Sequence, residues 1–205
     1  AKADEGKLDI VDIPGGGTYD LRGSFRKNVI APDPLHLINP IWEFQDSNWW
    51  PDWPTTAEKI IWFYEQGNGA TVDGVLSFTP SFLERILDIT GPIELAEYGT
   101  TIDKYNAYDF LQTLSERKQD ITNEPKKVIG DLASIIIEES EALFKPEDTI
   151  KLLSLVVESI EQRQLLVYWN EEAGQEILAE NKWDGALVDS NTDDYFMVVH
   201  TNIAG

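Results

Sequence analysis

The sequence contains no cysteine and only two histidines among its 205 residues. The absence of cysteine excludes disulfides, thiol catalysis and zinc sites built on thiolates. Basic residues are also scarce: 16 Lys and Arg stand against 37 Asp and Glu, which gives a formal net charge of −21. Because so negative a chain repels phosphate backbones, a nucleic-acid partner is excluded. No apolar run approaches the ~20 residues that a membrane helix needs, so we expect no membrane span in this chain.

Helical and strand patterns alternate along the chain. Thr55–Glu58 fits a capping box with Thr55 as the N-cap, and Thr79-Pro80 begins a second helix that ends at Gly91-Pro92. Later helices are predicted at about 103–117, 125–143, 147–162 and 170–182. Strands are predicted at about 7–13, 71–78, 93–96, 164–169 and 195–203. This alternation predicts an α/β fold, a mixed β-sheet flanked by helices, in a single domain over residues 1–205.

One helical face is predicted from spacing alone. In the segment 147–162, the helical repeat of apolar residues predicts a buried stripe of Ile150, Leu153, Val157 and Ile160.

Proline and tryptophan are concentrated in residues 32–54, which hold five of the ten prolines and four of the seven tryptophans. Proline at this density excludes a regular helix. Tryptophan at this density needs burial or a ligand, because each ring offers on the order of 200 Å² of apolar surface. We therefore expect an ordered, packed loop.

The end of this loop is the densest combination of polar and aromatic side chains. Its carboxylates could hold a hard divalent cation, Mg²⁺ or Ca²⁺, and its rings could line a pocket for an apolar or sugar ligand. The alternative is that Asp46 and Asn48 bind backbone amides of the loop while the tryptophans fill the core beneath it. The candidate ligand-binding residues are Asp46, Asn48, Trp49, Trp50, Asp52 and Trp53, with Asp46 and Asp52 as candidate metal ligands.

Arginine is rare enough to be informative. Arg22 and Arg26, near the first turn, could clamp a phosphate or a carboxylate, although surface pairing with the many acids is the simpler interpretation. Residues 189–193 (DSNTD) copy the start of a calcium loop, but Asp194 and His200 stand where the loop needs Gly and Glu. A solvated turn is the better interpretation there.

Three motifs together resemble a known family. They are DSNWWPDWPTTA at 46–57, VDGV at 72–75 and TGPI at 90–93. The set resembles the bacterial envelope family catalogued as domain of unknown function 4012, and residues 123–132 and 195–205 look like its later blocks. Trp53 stands where that family more often has Phe. The resemblance implies an extracytoplasmic domain, and this chain would be a fragment of a longer membrane-anchored protein.

A weaker resemblance links Val72–Leu95 to the core of the LytR-CpsA-Psr phosphotransferases. It implies a sandwich of helices and a sheet, and an activity on polyprenyl-phosphate-linked glycopolymers that uses Arg, Asp and a divalent metal. Gly91 matches the first glycine of that family's G-G-V turn, and Pro92 replaces the second. The catalytic motifs have no clear counterpart here.

Two functions therefore stand side by side. The first is an extracytoplasmic cell-envelope binding or scaffolding module, and the alternative is a phosphotransferase resembling LytR-CpsA-Psr proteins. In the second, Asp46 and Asp52 would hold the cation while Arg22 and Arg26 would hold phosphate. The expected partners are an envelope glycan, a lipid-linked phosphate or an envelope protein. A third interpretation, a tryptophan core with no site at all, also stays open, as does the question of enzyme activity.

Overall fold

The computed structural model describes residues 2–4, 7–9, 21, 27–68, 71–116, 127–138, 146–187 and 196–199. Six α-helices lie in these ranges: α1 Trp53–Asn68, α2 Pro80–Thr90, α3 Ala107–Glu116, α4 Lys127–Glu138, α5 Thr149–Glu161 and α6 Glu172–Glu180. Six strands accompany them: β1 Lys2–Asp4, β2 Lys7–Asp9, β3 Gly74–Phe78, β4 Ile93–Leu95, β5 Thr100–Ile102 and β6 Leu165–Trp169. None of these helices combines the length and apolarity needed to cross a bilayer.

The described strands pair two by two. β1 pairs antiparallel with β2, β4 pairs antiparallel with β5, and β3 is hydrogen-bonded to β6. The predicted combination of helices and strands is confirmed, but these strands form three small sheets where one mixed sheet was expected. The sandwich implied by the weaker resemblance is not confirmed. Of the predicted last strand, only residues 196–199 are described, and they belong to no strand.

The chain folds into two compact units. One comprises Ala1–Asp20 and Phe78–Leu165, and the other comprises Leu21–Ser77 and Leu166–Gly205. Each unit has its own buried side chains. The prediction that the chain is one domain, a fragment of a longer protein, stays a prediction.

In the first unit, α2 follows the sequence signals closely. The Thr79 side chain accepts a hydrogen bond from the Phe82 amide at 3.4 Å, Pro80 is the first helical residue, and Gly91 follows the helix with φ at 86°. The helix buries Leu83 and Leu87. The aliphatic core that they join also contains Ile93, Leu95, Ile102, Ala107, Val128 and Leu132.

The predicted face of α5 was partly wrong. Ile160 is buried and Val157 is half-buried as predicted, but Ile150 and Leu153 are 77% and 62% exposed. Leu155 and Ser159 are buried in their place. Apolar residues occur on nearly every side of this helix, so spacing alone could not choose between the stripes. The buried side of α5 is the one that faces α2. Arg85 of α2 donates to the Ser159 hydroxyl at 3.2 Å and forms an ion pair with Glu158.

In the second unit, α1 buries a stripe of apolar residues at helical spacing. Ala57 is fully buried, and Ile61, four residues later, is 7% exposed. Phe63, 2% exposed, lies outside that stripe and joins a second, aromatic cluster. Helix α1 therefore supports the proline- and tryptophan-rich loop that precedes it.

Candidate functional site

The backbone from Val29 to Trp42 forms a loop whose two ends are hydrogen-bonded to each other. Ile30 and Ile41 form an isolated antiparallel bridge, and the Trp42 amide donates to the Val29 carbonyl at 2.7 Å. A 3-10 turn, Leu35–Leu37, lies between the two ends. The prediction of an ordered loop is confirmed for this part of residues 32–54, because its ends are joined by backbone hydrogen bonds although no regular helix or strand spans it. At the far end of the predicted range, Trp53 and Pro54 instead belong to α1.

The aromatic rings beneath this loop form its core. Trp42 is 6% exposed and makes edge contacts with Trp50, at 5.4 Å between ring centroids, and with Phe63, at 5.2 Å. The Lys59 ammonium lies 5.4 Å from the Trp42 ring centroid and 4.7 Å from that of Trp62. We call this the loop core; its buried members are Ala31, Leu35, Trp42 and Phe63, and Val29, Phe44, Trp49 and Trp50 pack against them.

Polar side chains tie the loop core to the backbone around Asp46. The Trp42 indole N–H donates to the Asp46 carbonyl at 2.9 Å. The Asp46 carboxylate accepts from the amide groups of Asn39, at 3.1 Å, and Gln45, at 3.3 Å. Asp46 therefore binds neighbouring groups of the loop through both its backbone and its side chain.

Asp52 is the N-cap of α1, and the predicted N-cap, Thr55, lies in the first turn. One oxygen of the Asp52 carboxylate accepts from the Thr55 amide at 3.1 Å and from the Thr55 hydroxyl at 2.5 Å. The other accepts from the Leu187 amide at 2.9 Å. The helix begins earlier than predicted, because Asp is a strong N-cap and Pro54 fits a first turn.

These bonds set the charge state of Asp52. Partial burial of the carboxyl acts to raise its pKa, but the hydrogen bonds from the Thr55 hydroxyl and from the Leu187 and Thr55 amides outweigh it. The pKa of Asp52 is therefore lower than its ordinary value of 3.8. The ionised form is the one that holds the start of the helix.

Two further residues fix the loop against α1, and sequence reasoning missed both. The fully buried Thr56 hydroxyl accepts from the Trp50 amide at 3.1 Å and donates to the Trp50 carbonyl at 2.8 Å. Gly185, with φ at 70°, leaves room for Trp53: a Cβ there would lie 2.8 Å from the Trp53 Cβ. Thr56 could have been noticed as a polar residue inside an apolar stripe, whereas no local signal connects residue 185 to residue 53.

Trp53 itself is a core residue, only 3% exposed. It packs with Ala57, Ile61 and Tyr168 in a cluster separate from the loop core. Beside this cluster the Tyr168 hydroxyl faces Glu58 at 3.4 Å. Burial and the Glu58 charge raise the pKa of Tyr168 above its usual value, so this phenol stays protonated at neutral pH.

The structure separates the candidate site residues by surroundings. Trp53 is buried, Trp49 and Trp50 are half-buried against the loop core, and Asn48 is exposed. Asp46 and Asp52 bind different groups of the protein: Asp46 accepts from the side-chain amides of Asn39 and Gln45, and Asp52 accepts from backbone amides. Arg22 and Arg26 lie outside the described residues.

A shared cation at Asp46 and Asp52 would have to displace protein donors. Both oxygens of Asp52 accept N–H or O–H groups, and one oxygen of Asp46 accepts two amides. Within the described ranges, no group of three or more Asp, Glu or His side chains could hold a metal ion. The geometry directly supports backbone capping by Asp52, and the divalent cation stays a prediction.

Comparison with known families decides the relationship. The family model described as a protein of unknown function, DUF4012, matches residues 1–114, which is more than half of the chain. The chain belongs to the DUF4012 family. Nothing among the curated proteins and nothing among the solved structures matches it.

The loop of this DUF4012 protein exposes four aliphatic side chains, by 42% to 87%. Leu35, at 6%, points into the loop core, whereas its neighbour Leu37 is the most exposed of the four. We call this set the loop surface; it consists of Ile30, Leu37, Ile38 and Ile41.

Proposed function

We propose that this DUF4012 domain is an extracytoplasmic binding or scaffolding module of the cell envelope, and that the loop surface is its docking face. The observation that carries the proposal is the exposure of Ile30, Leu37, Ile38 and Ile41, at 76%, 87%, 54% and 42%. Grouped aliphatic side chains in water are unfavourable for a monomer and are typical of interaction sites.

The loop surface is held in place before any partner arrives. The bridge between Ile30 and Ile41 sets two of its members side by side, and the 3-10 turn carries Leu37. Beneath it, Leu35 and Trp42 anchor the loop in its aromatic core. A preorganised surface loses little conformational entropy on binding, which favours affinity.

The polar residues beside the loop core support the same proposal. Asp46 and Asp52 receive hydrogen bonds from the loop and from the start of α1. In a binding module these carboxylates maintain the shape of the docking face. Alanine at Asp46 or Asp52 should then lower stability, and with it binding. It should change no catalytic turnover, because a binding module has none.

The test is co-sedimentation with two preparations, cell walls that carry their polymers and sealed membrane vesicles. Leu37→Thr should weaken binding about tenfold, because about 1.4 kcal/mol of apolar burial is lost. Leu76→Thr is the matched control, since Leu76 in β3 is 67% exposed and is not part of the loop surface. Failure of the folded protein to bind either preparation, or equal losses for both variants, would contradict the proposal.

The phosphotransferase alternative has a separate test. Calorimetry with Mg²⁺, Mn²⁺ and Ca²⁺, with and without a short polyprenyl phosphate, measures whether a cation and a lipid phosphate bind together. Binding of both that disappears in Asp46→Ala would favour the enzyme. Our proposal expects no metal-dependent heat of lipid binding and a lower melting temperature for the variant.

The location within the cell is the part of the proposal that depends on the resemblance. Its test is digestion of intact host cells by an external protease, with detection of this domain afterwards. Cleavage in intact cells while a cytosolic marker survives is the expected result. Protection of the domain until the cells are lysed would contradict an extracytoplasmic location.

A further inference from the structure

The loop surface lies in a part of the chain that carries little charge. Residues 28–42 contain one aspartate, Asp33, one histidine, His36, and no Lys, Arg or Glu, although charged residues make up 26% of the whole chain. Ion pairs across an interface need charged side chains on both partners. This composition therefore favours an uncharged, apolar partner for the loop surface.

The backbone at the tip of the loop has already formed its hydrogen bonds. The amides of residues 36–39 donate to carbonyls of residues 32–35, at 2.9 to 3.1 Å. Residue 40 is proline, which has no N–H. A partner that adds a strand would need free N–H groups, whereas hydrocarbon accepts only a backbone whose polar groups are satisfied internally. The N–H groups of residues 36–40 meet the second condition.

The side chains of the loop are divided in the same way. The Trp42 ring, with its hydrogen-bonding indole, is 6% exposed, whereas Leu37 is 87% exposed. Trp49 and Trp50 pack against the loop core. Sugar hydroxyls need hydrogen-bonding partners, and the exposed Leu and Ile side chains offer none. Lipid chains need only apolar contact.

We propose that the loop surface inserts into one leaflet of a lipid bilayer and lies among the upper parts of the acyl chains. Asp33 and His36, both exposed, stay at the level of the head groups. The inference rests on the proposed function, because it names lipid as the partner of the same docking face. A wall polymer or an envelope protein is the alternative that the test must separate from lipid.

The net charge of −21 sets the expected dependence on lipid and salt. Anionic head groups repel this chain, so vesicles of phosphatidylcholine should bind it more tightly than vesicles that also contain phosphatidylglycerol. The difference should shrink as salt shortens the screening length from about 10 Å at 0.1 M to about 3 Å at 1 M. Tighter binding to the anionic vesicles, lost at high salt, would show an electrostatic attachment and overturn the proposal.

The absence of cysteine allows one environment-sensitive dye to be placed at a chosen residue. Ile38→Cys carries the dye in the loop surface, and Ile177→Cys is its matched control. Ile177 lies in α6 and is 58% exposed, close to the 54% of Ile38. With protein-free phosphatidylcholine vesicles, the dye at position 38 should shift to shorter wavelengths and be quenched by nitroxides on the upper acyl chains. No shift there, or equal shifts at both positions, would overturn the proposal.

Substitutions in the loop test the chemistry of insertion, with circular dichroism to confirm that each variant is folded. Leu37→Thr in the labelled protein should weaken vesicle binding about tenfold. Asp33→Asn should strengthen it about threefold, because a charge near the acyl chains is removed. Asp73→Asn, exposed and outside the loop, should leave it unchanged. Weaker binding by Asp33→Asn would show that Asp33 pairs with a cation of the partner, contrary to the proposal.

The vesicles contain neither wall polymer nor protein, so failure of insertion is distinguishable from failure of the proposed function. Binding to cell walls but not to phosphatidylcholine vesicles would overturn insertion and leave the loop surface as a docking face for another partner. Binding to neither would contradict both.

Discussion

The loop core and the aliphatic core of the first unit bury apolar surface by different means. The loop core closes an irregular backbone over a few large rings, with Trp42 at its centre and an indole hydrogen bond to the Asp46 carbonyl. The aliphatic core packs Leu, Ile and Val side chains from helices and short strands, such as Leu87 and Leu132. The loop core depends on single large side chains, and the aliphatic core depends on many smaller ones.

The two cores should therefore differ in how much a substitution lowers the free energy of unfolding. An aliphatic core tolerates exchanges that conserve volume, because no single member has a directional bond. In the loop core the Trp42 ring fills a place and also satisfies a backbone group, so an exchange removes both contributions. A loop without regular hydrogen bonding therefore depends more on its side chains than a helix does.

The largest effect is expected from Trp42. Trp42→Ala should lower the free energy of unfolding by about 3–5 kcal/mol, because a buried ring and its hydrogen bond are lost together. Leu132→Met in the aliphatic core should cost less than about 1.5 kcal/mol. Urea denaturation followed by circular dichroism measures both. A cost for Trp42→Ala no larger than that for Leu132→Met would contradict this contrast between the two cores.

A smaller effect should come from Thr56. Thr56→Val keeps the shape of the side chain but leaves the Trp50 amide and carbonyl without their partner, at a cost of about 1–3 kcal/mol. Thr55→Val is the matched control at an exposed position and should cost less than about 1 kcal/mol. Thermal unfolding of the two variants gives the ranking, and a reversed order would show that the Trp50 backbone is not held by Thr56.

The smallest effect should come from the charge of Asp52. Its pKa is lowered by folding, so its ionised form stabilises the folded state above the ordinary value of 3.8, and this contribution is lost as the pH falls through the lower folded pKa. Asp52→Asn keeps the cap but removes the charge. Its deficit in stability, about 1 kcal/mol or less, should be present at about pH 6 and disappear at the acid end. Glu94→Gln controls for lost charge, and a deficit that persists at low pH would contradict this account.

Local sequence signals predicted the elements whose ends are set by a capping residue, a proline or a glycine. The start of α2 is set by Thr79 and Pro80, and its end is set by Gly91. A capping side chain, a fixed φ and a left-handed φ each act within one turn. The density of proline and tryptophan predicted an ordered loop for the same kind of reason. The DUF4012 motifs were also recognisable in the sequence, and the family match confirms that relationship.

Other predictions needed the partner of each element. The N-cap of α1 is Asp52, through a local bond from the Thr55 amide, but the bond from Leu187, far along the chain, to the second Asp52 oxygen has no local signal. The buried side of α5 faces Arg85 of α2, and the sequence alone could not identify it because apolar residues occur on nearly every side of this helix. No periodicity identifies which of several similar faces meets a neighbour.

The class of this protein could be predicted from the amino-acid sequence: an acidic chain of helices and strands, without thiol chemistry, with a loop that had to be packed. Composition and short-range sterics are sufficient for that, since they act on each residue or each turn. The surroundings of the loop residues depend on the folded chain. Folding buries Trp53, brings the Leu187 amide to the second oxygen of Asp52 and leaves Leu37 exposed, because burial and hydrogen bonding between distant residues are settled only when the chain has folded.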